Sequence, residues 1–358
     1  MTDEKAVEFL QQLIRHQSDS GDHAAQRELQ VMIADRLRAQ VSGATVLHSP
    51  STHYPWTLIT TGARTGPMLL FACHVDTVPT GDPSRWMHPP FSGRISDGRV
   101  YGRGATDMKG GIAAAAAALT LAGELNKNAG LLLTADEEAG SLGAADAVTA
   151  IAGLDIGAVI IPEATDNRLV LGHRGALWLR IRSEGLAAHG STPERGVNAA
   201  LKLSTAVLRA ERELPLKRDS FLGRETWNLG MFNAGAAPNI VPDSAEAVID
   251  MRVVGDGAEL HKWWLAQPEI ADVETVLSLA PLHTAVPPAL AFDGTEADSH
   301  PAPYFTDGSV LANHLPGIPV VIWGPGAPAQ MHALNEYLDL QSLFTGTRLF
   351  QETIAQWH

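Results

Sequence analysis

Apolar and polar positions change rhythm along the chain, and the changes outline its elements. Residues 3–40 carry an amphipathic helical repeat broken at Ser18–Gly21, with Asp22 placed to cap the second half. Short apolar runs then alternate with helical patterns. Thr57–Thr60, Met68–Cys73, Ala129–Thr134 and Ala158–Ile161 read as strands. Gly110–Gly123 reads as a small-residue helix able to approach a sheet closely, and Ser141–Ala150 as another helix. Strands alternating with helices imply a mostly parallel sheet covered on both faces. From Ala176 the rhythm differs. Ala176–Ser183, Thr226–Phe232, Ala245–Val254 and Val273–Leu279 are predicted strands, with helices over Asn198–Leu214 and Ala258–Ala266. That βαββαβ order is the ferredoxin-like pattern. Pro281–Pro288 reads as a linker, Val320–Trp323 as a strand and Asp339–Trp357 as a closing helix. The expectation is an α/β domain, residues 1–172 and 285–358, interrupted by an α+β insert over 173–284.

Composition narrows the function. With 358 residues and 45% hydrophobic side chains, the chain can bury a large core and is not disordered. A net charge of −14, from 26 basic and 40 acidic residues, argues against nucleic acid as a partner. The single Cys73 excludes an intramolecular disulfide and suits a reducing compartment. MTDEKAVEFLQQL has early acids and no signal-peptide pattern, and the longest apolar stretch, Ile112–Ala122, is about half a membrane span. A soluble, cytoplasmic protein with no membrane partner is expected.

The chemistry sits where apolar runs end. FACHVDTVP ends in His74 and Asp76, which strand alternation puts on one face, with Cys73 turned into the core. YGRGATDMKGG presents Asp107 at a glycine turn; Asp107 stands where a dinucleotide fingerprint needs its third glycine. LLLTADEEAG drives a buried strand into Asp136, Glu137 and Glu138 with no basic residue in the segment. Such acids require a cation or a raised pKa. VIIPEATD ends in Glu163, and GPGAPAQMHALNEY presents His332. Two His and several carboxylates without thiolates suit Zn²⁺, Co²⁺ or Mn²⁺, and the number of acids exceeds what one catalytic zinc uses. Two ions sharing a carboxylate account for it better. The remaining histidines, His173 and His300 among them, read as surface or structural, and Trp263–Trp264 as a packed helix face.

In order and wording, H-x-D-T-V-P, G-R-G-x-x-D-M-K-G-G, D-E-E-x-G-S-x-G, P-E-x-T, H-G-S-x-P-x-x-G-x-N-A and H-x-x-N-E-Y resemble the M20 family of metallopeptidases across nearly the whole chain. The resemblance implies a zinc-peptidase-type catalytic domain with an inserted lid that serves as a dimerisation domain. It implies one zinc on His74 and Glu163, another on Glu138 and His332, and Asp107 bridging them, followed by a cis peptide. Asp76 would orient His74 and Glu137 would be the general base. His189 would reach the reacting carbonyl, often from the partner subunit of a homodimer. Asn239 in APNIVPD, Arg252 in IDMRV and Gly308 in YFTDGS resemble positions that bind the substrate carboxylate or line its pocket. Departures are Ala72 and Cys73, the wording IPEATD, and a short second helix in the insert.

The expected activity is a hydrolase of amino-acid metabolism. It would be a di-zinc amidohydrolase, with Co²⁺ or Mn²⁺ as substitutes, freeing an amino acid from a small N-acyl amino acid. The alternative within the chemistry is a di- or tripeptidase or carboxypeptidase acting on short peptides. Outside it stands a catalytically silent metal- or peptide-binding protein, against which the unligated Glu137 argues. Arg252 faces away from the apolar positions Ala245, Ala247, Ile249 and Met251. At about 7 Å between i,i+2 neighbours it is expected to be too far from Asp250 for a fixed two-point pair, and so to stand free beside Asn239.

Overall fold

A computed structural model describes residues 2–62, 64–287, 290 and 295–357. The chain divides into two compact units, Met1–Gly172 with Leu282–Ala302 and Thr306–His358, and His173–Pro281 with Pro303–Phe305.

The first unit opens with α1 (Asp3–Arg15) and α2 (His23–Gln40), separated where the amphipathic repeat breaks. Asp22 enforces the restart by accepting the Ala25 amide at 3.1 Å. There follow β1 (Thr45–His48), β2 (Thr57–Thr60), β3 (Met68–His74), a hairpin of β4 (Arg94–Ser96) and β5 (Arg99–Tyr101), α3 (Gly110–Glu124), β6 (Ala129–Thr134), α4 (Leu142–Ile151) and β7 (Ile156–Ile161).

The second unit contains β8 (Gly175–Glu184), α5 (Ala199–Glu213), β9 (Thr226–Ala234), β10 (Ser244–Val253), α6 (Ala258–Leu265) and β11 (Asp272–Leu279). Its antiparallel sheet has the order β9-β10-β8-β11, which makes β9 and β11 the edges and completes the ferredoxin-like arrangement. One face is apolar at every second residue. Leu177, Leu179, Ile181, Ala247, Ile249 and Met251 pack with Leu203 and Ala206 of α5 and with Leu260 and Trp264 of α6. The second helix is as short as expected, at eight residues.

The chain then returns to the first unit with α7 (Gly308–His314), β12 (Val320–Ile322), β13 (Tyr337–Asp339) and α8 (Leu340–Gln356). Of the expected linker Pro281–Pro288, Leu282–His283 forms a two-residue strand, and Pro288 lies outside the described residues. Among the described residues, no helix is long and apolar enough to cross a membrane.

The main sheet has the order β1-β2-β6-β3-β7-β12. β3 runs parallel to β6 and β7, and β12 parallel to β7, while β1 and β2 add an antiparallel margin. The central strands β3 and β6 are buried along their whole length, as continuous apolar runs require. Their carboxyl ends lie side by side, with His74 opposite Thr134. Helix α3 starts close beneath them: a Cβ on Gly111 would stand 2.0 Å from the Pro162 carbonyl oxygen, so only glycine fits.

Candidate metal centre

Five strand exits of the first unit converge. His74 ends β3, Glu138 follows β6 and Glu163 follows β7, while Asp107 precedes α3 and His332 lies on the loop after β12. Nε2 of His74 is 3.1 Å from Asp107 Oδ1 and 3.2 Å from Glu163 Oε1. Nε2 of His332 is 3.1 Å from Asp107 Oδ2 and 2.8 Å from Glu138 Oε1. The two oxygens of Asp107 thus face two separate imidazole–carboxylate pairs. Ligand atoms of His74, Asp107 and Glu138 all fall within 4.8 Å of one another.

Asp107 owes its place to the turn at Ala105–Lys109, where Asp107 and Met108 leave helical geometry and the peptide between them is cis, as the resemblance implies. Glu336 holds that turn. Its carboxylate accepts the amides of Gly104, Thr106 and Asp107 at 3.0, 2.9 and 3.1 Å and pairs with Arg103 at 2.7 Å, all buried. Glu336 lies in the H-x-x-N-E-Y wording, but the sequence alone assigns it no role; a buried Glu in a Gly/Pro loop is a signal only once its partners, more than 220 residues away, are known. Glu336→Ala would leave Arg103 buried without its partner and three amides unsatisfied. We expect it to destabilise the first unit by about 3–5 kcal/mol, read from urea unfolding, and a change under about 1 kcal/mol would contradict this role.

Asp76 touches more than His74. Nδ1 of His74 is 3.0 Å from the Asp76 carbonyl oxygen and 3.4 Å from its carboxylate. The carboxylate itself accepts the amides of Glu137 at 3.0 Å and Glu138 at 3.2 Å, and the Ser20 hydroxyl at 2.8 Å. Asp136, the first acid of the run, turns away and is held by the Gly21 amide, Gln26 and His23. Glu137 is left buried with Oε1 unpartnered among the described residues.

The electrostatics follow from this crowding. Burial raises Glu137 well above the usual carboxylate range, and Glu138, Asp307 and Glu163 add to it. Burial, with Asp107 nearby, takes Glu163 to about 7. Burial alone would lower His74, but Glu163, Asp107 and Asp76 carry it well above its usual value. Hydrogen bonds donated to Asp107 and Glu138 push His332 to about 10. Raised folded-state values mean that the native state holds the extra protons. His332 then contributes stability that is complete below its ordinary value of 6.5 and lost as pH rises through about 10. Glu163 acts in the same direction between 4.5 and about 7. Burial lowers Lys109 to about 7, which acts in the opposite direction over much of the same range, so the His332 share is read against a His332→Ala variant. Chelator-stripped wild type should lose urea resistance relative to that variant as pH rises from about 6.5 to 10, and metal should reverse the loss because it replaces those protons. A difference between the two proteins that stays flat in chelator would rule this out.

The other expected site residues belong to the second unit, apart from Gly308, which is buried at the start of α7 between Leu282 and Ile161 of the first unit. His189 is exposed, with Nδ1 2.7 Å from the Ser191 hydroxyl. It bridges to Ile240, and Gly190 donates to the Asn239 carbonyl at 2.7 Å, so His189 and Asn239 share one loop cluster.

Arg252 corrects two expectations. Its Nε and Nη2 both reach Asp250, each at 3.1 Å. The 7 Å spacing separates strand positions, and a guanidinium on its long stem spans it. Nor does Arg252 stand beside Asn239. The register pairs it with Ala176 and Thr226, at the end of the sheet opposite the loops that follow Glu184 and precede Ser244. Its Cζ lies 5.5 Å from the Phe305 ring centre.

The model of peptidase family M20/M25/M40 matches residues 70–356. A succinyl-diaminopimelate desuccinylase of Rhodospirillum centenum is 29% identical over 324 residues, covering 82% of this chain and 82% of that protein. A protein of Aspergillus clavatus named "Probable carboxypeptidase" is 32% identical over 321 residues, covering 81% of this chain and 75% of its own. The crystal structure of an M20 family metallo-carboxypeptidase from Sulfolobus solfataricus shares the fold, with a TM-score of 0.82 at 19% identity over 98% of both chains.

Proposed function

The chain belongs to peptidase family M20/M25/M40, metal-dependent hydrolases of amide bonds, and from that premise we propose a di-zinc enzyme that cleaves an N-acyl amino acid to a free amino acid and a carboxylate. The observation that carries this reading is the pair of Asp107 oxygens, each facing its own His–Glu pair, with the unpartnered Glu137 alongside.

The donor set fits two ions. His74 and Glu163 would hold one, His332 and Glu138 the other, with Asp107 shared. The set is two imidazoles and three carboxylates, and the buried Glu163 Oε2 has no partner among the described residues. Co²⁺ or Mn²⁺ suit the same donors. When bound, the ions polarise the scissile carbonyl and acidify the attacking water. The protein's own groups do the remaining work. Glu137 takes the proton from the water and later delivers it to the departing amine nitrogen. His189 donates to the oxyanion of the tetrahedral species.

Asn239, Arg252 and Gly308 remain the candidate residues for the substrate carboxylate and its pocket. Asp250 takes the Nε/Nη2 edge of Arg252, which leaves the Nη1 side for a carboxylate.

We propose a homodimer through the second unit. The edge strand β9 exposes Leu229, Met231 and Phe232, the kind of edge that pairs with another copy. The cytoplasm stays the proposed compartment, supported by the one cysteine being free and buried.

A carboxypeptidase is the second reading, favoured by the Aspergillus relative. Hydrolysis of N-acetyl-, N-succinyl- and N-formyl-amino acids should be compared with that of dipeptides, in Zn²⁺ or Co²⁺. Turnover of the acyl compounds, with metal content approaching two equivalents, is expected. Turnover of peptides alone would select the second reading, and full activity at one equivalent would end the two-metal one.

A further inference from the structure

Asp307 is a buried carboxylate that forms no ion pair among the described residues, although His74 lies near enough to favour its charge, and it has no place in the proposed ligand set. It precedes α7, and its backbone carbonyl accepts the amides of Val310 and Leu311 at 3.0 and 2.9 Å, which anchors it. Its Oδ2 accepts the Thr134 hydroxyl at 2.6 Å, the short length of a charge-assisted bond. Its Oδ1 has no hydrogen-bond partner among the described residues, and neither has the hydroxyl of Ser141, which faces the same carboxyl closely enough to help hold its charge.

Thr134 and Ser141 are the two ends of one loop. Thr134 is the last residue of β6, opposite His74 in the ladder, and Ser141 caps α4 in a left-handed conformation. Between them the loop closes on its own backbone: Gly140 and Ser141 donate to the Glu137 carbonyl at 2.8 and 2.9 Å, and Gly143 to that of Ala135 at 2.8 Å. Asp76 holds the middle of this loop at the amides of Glu137 and Glu138. Asp307 sits against both of its ends.

We propose that Asp307 is a positioning residue for Glu137, fixing the 134–141 loop at its ends so that the Glu137 carboxylate keeps its aim. A buried charge with an unsatisfied oxygen costs stability, and a site that tolerates the cost is more readily understood through function than through packing. The inference rests on the reading of Glu137 as the base.

The test uses the metal-loaded enzyme and the best substrate of the panel above. Asp307→Ala and the nearly isosteric Thr134→Val should each lower kcat by about 10–100-fold, the scale of a misplacement near 1 Å, with KM little changed. Thr134→Ser restores the hydroxyl and should restore kcat. The double variant should be no slower than the slower single one, because both remove the same bond. Should Asp307→Ala fail to fold, the Thr134 pair alone decides. Unchanged kcat in Thr134→Val, or a Thr134→Ser variant as slow as Thr134→Val, overturns the proposal. Glu137→Ala is the control: if it remains active, the base reading has failed; if it is inactive while Thr134→Val keeps the wild-type kcat, only this inference has.

Discussion

Glu137→Ala is expected to keep both metals and to lose roughly 10²–10⁴-fold in turnover, the usual scale of general-base catalysis. The reason is geometric. Glu137 makes no contact with either imidazole like those of its neighbour, and its Oε1 is unpartnered in a buried place. Glu138, one residue on, lies 2.8 Å from His332 Nε2 and faces the shared Asp107. Glu138→Ala should therefore lose a metal equivalent, and activity with it. Metal content by atomic emission, beside turnover, separates the two variants. If Glu137→Ala lost the metal and Glu138→Ala kept it, the roles within the pair would be exchanged.

Those neighbouring acids show how much of the site was legible along the chain. A continuous apolar run has to become a buried strand, and a buried strand must deliver whatever follows it to the sheet's edge. That is why His74, Glu137, Glu138 and Glu163 were readable as one end of a sheet. The break between α1 and α2 was readable for a similar reason, since Asp22 caps locally. The ferredoxin-like insert was readable because period-2 and helical patterns alternate cleanly over 176–279. The hairpin β4–β5 was not: its Asp97-Gly98 turn, both residues at positive φ, is a hairpin signal, but three-residue strands carry little alternation.

What stayed hidden is what depends on side-chain reach or on distant partners. Arg252 and Asp250 were judged by the spacing of their strand positions, and the length of an arginine defeats that measure. Glu336 holds amides of a turn more than 220 residues before it, and Asp307 a hydroxyl 173 residues before it. No local pattern encodes either pairing. Both are buried acids that the ligand count leaves over, and their burial becomes visible only once the fold has brought their distant partners to them.

The second prediction of large effect concerns two chains at once. Inactive Glu137→Ala protein mixed with inactive His189→Ala protein, after dissociation and reassociation, should recover activity. His189 sits in the loop cluster with Asn239, at one end of the second unit's sheet, and Arg252 sits at the other. About eight strand residues separate those ends, roughly 26 Å, so one substrate carboxylate cannot meet Asn239 and Arg252 of the same chain. Two copies paired through the exposed edge β9 would bring one end of each sheet toward the opposite end of the other, because a two-fold axis reverses direction. A site that uses its own Arg252 would then take His189 and Asn239 from its neighbour. In a mixed dimer one site has both Glu137 and the neighbour's His189, and the other has neither. Random reassociation gives half mixed dimers, so activity should return to about a quarter of the wild-type level. Mass measurement must show that mixed dimers form. If they form and stay inactive, His189 acts within its own chain, and Asn239 and Arg252 cannot both bind the carboxylate.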